Sequence, residues 1–175
     1  MKSVIVLASL FAIASAARAA DLPMPLAEAS SGKMQCYAPN PAKKTCASLA
    51  GYRIDANGTI VNTATVLIAP NPVITMETTS PVTIKNSQVC GPLRKEDLDT
   101  ATFTQDGKPM DANQANQIRQ QMAEESKAML GHEICTVYVA QGNSTIAKST
   151  DNGTPMKDDA PMIWVSPSEG YRVAP

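Results

Sequence analysis

The sequence predicts an α+β domain: a mainly antiparallel sheet with one long helix packed on a face, braced by two disulfides. Three observations predict it. Period-two alternation recurs between Tyr52 and Val89, one capped amphipathic pattern opens at Asp111, and strand signals outnumber helical ones without βαβ alternation. The 175 residues are 43% hydrophobic with 15 bases against 16 acids, which suits one globular domain and excludes a collagenous or wholly disordered chain.

The first element is a targeting segment over residues 1–19. Lys2 gives a positive start, Ser3 to Ala17 is uncharged and mostly apolar, and Ala17-Arg18-Ala19 puts small residues where a signal peptidase reads. A periplasmic or secreted location follows as the expectation. No later apolar run approaches the roughly 20 residues needed to cross a bilayer, so no membrane insertion is expected after cleavage. Losing Lys2 and Arg18 leaves 13 bases against 16 acids. That balance lacks the basic footprint of nucleic-acid binding.

Residues 20–33 hold Pro23, Pro25 and Ser30-Ser31-Gly32, a composition that reads as a flexible tether, and the domain is expected over 34–175 with a proline-rich C-terminal tail. Tyr52 and Ile54 alternate with Arg53 and Asp55, Asn57-Gly58 signals a hairpin, and Thr59 to Ile68 is rich in β-branched residues. Pro70-Asn71-Pro72 and Pro81 read as breaks in an antiparallel meander. Asp111 with Gln114 makes a capping box, Gly131 suits a C-cap, and Ala115, Ile118, Met122 and Met129 lie on one stripe of a helix about five turns long. Beyond it, Cys135, Val137 and Val139 share one side of a strand, with His132, Ile134, Thr136 and Tyr138 on the other. Met162 to Val165 supplies a last strand.

Cys36, Cys46, Cys90 and Cys135 form an even set in an exported chain and read as two disulfides. The turn Pro39-Asn40-Pro41 favours Cys36 with Cys46, leaving Cys90 with Cys135. A metal site through His132 and Cys135 lacks the paired Cys-x-x-Cys pattern, so no metal and no cofactor is expected. His132 is the sole histidine, and any Ser-His-Asp or Cys-His mechanism must pass through it. Glu96, Asp97 and Asp99 cluster beside Arg94 and Lys95 and read as a solvated short helix or turn. Asn57, Asn143 and Asn152 sit in glycosylation patterns that also mark turns. Tyr37, Tyr52, Trp164 and Tyr171, which join apolar area to a polar tip, are the contact candidates alongside His132.

The run Gly32-Lys33-Met34-Gln35-Cys36-Tyr37 with Lys44-Thr45-Cys46 resembles small exported proteins of Gram-negative bacteria to which no activity is attached. The resemblance implies a periplasmic address and transfers no functional residue. With no catalytic set in view, the expected function is a non-enzymatic module that binds an envelope protein or a small ligand. Two alternatives stand beside it: a small hydrolase centred on His132, and a secreted enzyme inhibitor presenting the loop from Pro39 to Thr45.

Overall fold

A computed structural model describes residues 21–142 and 144–175; the expected leader and Asn143 lie outside the described residues. In chain order the elements are β1 (Met34–Tyr37), β2 (Thr45–Cys46), β3 (Ser48–Ile54), β4 (Ile60–Pro70), β5 (Val73–Lys85), β6 (Gln88–Pro92), α1 (Lys95–Asp99), β7 (Thr102–Gln105), β8 (Lys108–Pro109) and α2 (Ala112–Glu125). There follow β9 (Glu133–Gln141), β10 (Ser144–Asp151), β11 (Thr154–Pro155), β12 (Ala160–Val165) and β13 (Arg172–Val173).

The expected α+β fold, a mainly antiparallel sheet with one long helix packed on a face, is overturned. Strands hold 49% of the residues and helices 18%, and eight antiparallel strands close into a barrel. The order β1-β3-β4-β5-β6-β9-β10-β12 is an up-and-down meander whose last strand returns to the first, Met34 standing opposite Val165. Closure removes both sheet edges, so no helix is needed to cover a face. Strand alternation had the right period, but alternation alone is the same for an open sheet and a closed one.

Register sorts the side chains into two sets. Gln35 and Tyr37 on β1, Tyr52 and Ile54 on β3, Ile60 and Asn62 on β4, Val82 and Ile84 on β5, Thr136 and Tyr138 on β9, and Trp164 on β12 share the inward phase. At one end the lumen is closed by the segment before β1. Leu22, Leu26 and Ala29, the last in a 3-10 turn over Ala27–Ser31, pack with Tyr52, Ile54, Ile60, Val82, Ile84, Val89, Tyr138 and Trp164. Composition reads this stretch as a tether; in the structure Leu26 is 0% exposed and acts as the barrel's plug. Its two leucines bury enough apolar area to outweigh the prolines, each contributing about 1.5–3 kcal/mol when fully buried.

The outward phase carries the two disulfides, Cys36–Cys46 and Cys90–Cys135. Around the first, Met34, Leu49, Ile163, Val165 and Tyr171 form an external cluster covered by the two-stranded parallel sheet of β2 and β13. The C-terminal stretch is thereby docked onto the barrel wall. Elsewhere the outer surface carries threonine pairs: Thr63 faces Thr79 and Thr75 faces Thr104 through hydroxyl contacts of 3.3 and 2.8 Å.

β5 runs unbroken through Pro81, against the expected break. On the edge away from β4, β7 pairs with β5 only at residues 74–77 and β6 only at 83–85. The Pro81 carbonyl lies on the β6 side, 3.2 Å from where a Gly91 Cβ would sit, so the missing N–H also faces this gap and costs no ladder bond. β7 and β8 extend the β4–β5 hairpin beyond the barrel, and α2 packs on that extension. Ala115 is buried there with Met76, Leu98, Ala101 and Phe103, flanked by Ile118 and Met122.

α2 has 14 residues, not the five turns expected. Asp111 caps its start, accepting from the Asn113 and Gln114 amides at 2.9 and 3.3 Å. It ends after Glu124 and Glu125, two acids at the end of a helix where the dipole favours cations. The chain then turns back so that Gly131 N–H donates to Leu93 and Leu93 N–H donates to His132. Met129 therefore leaves the helical stripe.

Candidate functional site

Eight strands enclose an interior just wide enough to be filled by side chains or to hold one small ligand. Here the inward positions at mid-barrel are unusual in being polar and aromatic together. Gln35 is 0% exposed, placed by the register of β1 between Ala50 of β3 and Trp164 of β12. Its Oε1 accepts from the hydroxyls of Tyr37, Tyr52 and Tyr138 at 2.8, 2.9 and 3.1 Å. The Tyr37 and Tyr138 hydroxyls are also 2.9 Å apart. A carbonyl oxygen has two lone pairs, so three phenols more than satisfy it. The amide Nε2, with two donor hydrogens, has no partner among the described residues.

An unmet buried donor costs about 1–3 kcal/mol, and native interiors hold few of them. Burial is the main cause that pushes Tyr37 and Tyr52 well above the ordinary phenol range; the Tyr52 and Tyr138 phenols add to it at Tyr37, while at Tyr52 the Tyr138 phenol adds and the Tyr37 hydrogen bond opposes. Tyr37, Tyr52, Asn62, Thr136, Tyr138 and Trp164 face inward and each remains partly accessible. An apolar wall with a few convergent polar groups is the composition of a small-molecule site.

The remaining candidates are dispersed. Tyr37 and Trp164 share the lumen, whereas Tyr171 stands on the outer wall beside the Cys36–Cys46 disulfide. His132 lies at the mouth opposite the plug, where β9 starts and β10 ends. Its Nδ1 is 2.8 Å from Asp151 Oδ1, and both line an open depression of about 570 Å³ with Met129, Thr154, Met156 and Lys157. An oriented imidazole is half of a nucleophile-activating pair. The hydroxyl side chain in that lining is Thr154, and no serine or cysteine stands among the described lining residues.

In the acidic cluster Asp97 and Asp99 are matched by neighbouring bases. Arg94 forks onto Asp97, which also accepts from Ser80 at 2.7 Å, and Lys95 meets Asp99 at 2.6 Å. The loop before β2 is braced by the Asn40–Thr45 bridge and the disulfide, with Pro41, Ala42, Lys43 and Lys44 exposed. Cys90, Glu133 and Cys135 gather their donor atoms closely, but the two sulfurs are bonded to each other and offer no thiolate.

Sequence reasoning passed over Gln35 and did not single out Tyr138 as a contact residue. The signal that exposes them is positional: a glutamine and a tyrosine on the inward phase of short strands, visible only once the strands are known to close. Comparison with family models, with curated proteins and with solved structures finds no match for this chain.

Proposed function

We propose that this protein is a non-enzymatic binding module that holds a small ligand in the lumen of its barrel. The observation that carries the reading is the Gln35 amide, fully buried with Nε2 unmet among three phenols. A binding site that keeps an unpaired donor gains affinity when a ligand pairs it, which is how buried polar groups select ligands. Trp164, the single tryptophan, lines the same space and reports on it. The two disulfides fit an oxidising, extracytoplasmic setting.

The test is native mass spectrometry of protein recovered from its own host, followed by titration of the released small molecules against Trp164 emission. Saturable change that is lost in Gln35→Leu supports the reading. Ligand-free protein with a Trp164 signal indifferent to every extract fraction overturns it.

A hydrolase centred on His132 has the His132–Asp151 pair in its favour. The binding reading expects His132→Ala to leave the Trp164 response within about twofold of wild type, since His132 lies at the mouth and not beside Gln35. Ester or amide turnover that disappears in His132→Ala would favour the hydrolase. The inhibitor alternative rests on the exposed loop from Pro41 to Lys44, and inhibition of a protease or lysozyme panel is its measurement.

A further inference from the structure

Resting on the lumen as the binding site, we infer that the ligand is uncharged and presents a hydrogen-bond acceptor, such as a carboxamide or ketone oxygen, to Gln35 Nε2. The argument begins with where charge sits on the barrel. Every Lys, Arg and Glu on the eight strands falls on the outward phase: Arg53, Glu77, Lys85, Glu133 and Lys148. Three of them are spoken for on the surface, Lys85 with Glu133 and Lys148 with Asp159.

Two acids come near the interior. Asp151 has the inward phase but stands at the end of β10 and is engaged by His132 Nδ1. Asp97 reaches Ser80 from α1 and is matched by the Arg94 guanidinium. Neither is a free counter-charge at the level of Gln35, whose inward-phase neighbours are phenols, an indole, the neutral Asn62 and Thr136, and aliphatic side chains.

An ion entering this space loses its hydration and meets no opposite charge, which is the costliest form of burial. A cation fares no better, because the acceptors at the hub, Gln35 Oε1 and the phenol oxygens, are neutral and supply no opposite charge. The phenol hydrogens are committed to Oε1 or to one another. What the site lacks is an acceptor for two amide hydrogens, so a neutral carbonyl compound fits where its carboxylate analogue does not. Trp164, the direct register neighbour of Gln35, supplies a flat apolar surface for the body of such a ligand.

The measurement uses the mature full-length protein, labelled with nitrogen-15, and a matched pair of probes, phenylacetamide and phenylacetate, at neutral pH. The two signals followed are the Trp164 indole N–H, unique in the sequence, and the Gln35 side-chain amide, assigned by its loss in Gln35→Leu. Phenylacetamide is expected to shift both signals saturably, with phenylacetate at least about tenfold weaker, and Gln35→Leu is expected to narrow that ratio to less than about threefold. Equal or tighter binding of phenylacetate overturns the neutral-ligand inference while leaving the barrel as a binding site. Failure of both probes to move either signal overturns the inference and counts against the lumen reading as well. Should Gln35→Leu fail to fold, the wild-type ratio read at Trp164 alone still decides.

Discussion

At the residue scale the lumen makes its own pH dependence. Tyr37 and Tyr52 keep their protons in the folded barrel beyond the point at which an exposed phenol loses them, chiefly because burial disfavours the phenolate. Below the ordinary value of about 10 both states are protonated and these groups contribute no slope. As the pH rises through that value the unfolded chain releases protons that the folded chain retains, so stability falls with increasing pH. Urea unfolding between about pH 9 and pH 11 is expected to show this loss, and the double variant Tyr37→Phe, Tyr52→Phe to flatten it. An identical slope in the variant would place the alkaline sensitivity elsewhere. Of the residues responsible, the tyrosines and Trp164 were legible in the sequence, because large side chains with polar tips stand out in a chain only 4% aromatic. Gln35 was not, since a single glutamine in a strand looks like any solvent-facing residue until its phase is known.

At the element scale the segment before β1 shows how composition can mislead. Two prolines and a Ser-Ser-Gly run describe the backbone well, for the stretch forms no long helix or strand, yet Leu22 and Leu26 decide where it lies. Leu26→Ala removes a side chain buried among residues of six barrel strands, and such core truncations cost about 2–5 kcal/mol. The midpoint of urea denaturation is the measurement, and a change under about 0.5 kcal/mol would mean the segment merely rests on the barrel. Asp111 was legible as a cap because its acceptor role is local. The helix end was not: Glu124 and Glu125 are good helix formers, and the turn at Ser126 answers to the distant pairing of Leu93 with Gly131 and His132. Pro81 follows the same rule, its tolerance set by where β6 and β7 stop.

At the scale of the whole molecule, closure is the property the sequence withheld. Each hairpin is local, but joining β12 to β1 brings together residues about 130 positions apart, and nothing in the periodicity of either strand names its partner. Closure also sorts charge by phase: the Lys, Arg and Glu side chains of the barrel strands lie outward and the neutral aromatic set inward. No helix among the described residues is long and apolar enough to cross a membrane. The disulfides bear on closure unequally. Cys36–Cys46 ties β1 to the β2 loop within 10 residues of sequence, whereas Cys90–Cys135 joins neighbouring barrel strands β6 and β9 across the whole α1–α2 excursion, a separation of 45. In the chain-entropy account such loops stabilise by about 3 and about 4 kcal/mol, the longer one by restraining more of the unfolded chain. Replacing Cys90 and Cys135 together by Ala is therefore expected to lower unfolding free energy by about 2–4 kcal/mol. Trp164 emission and far-ultraviolet circular dichroism should still report one coincident transition, because plug, lumen and closing strands share a core. Two separated transitions in the variant would show that the β7–α2 extension unfolds independently of the barrel and that the molecule is held as one unit by sulfur alone.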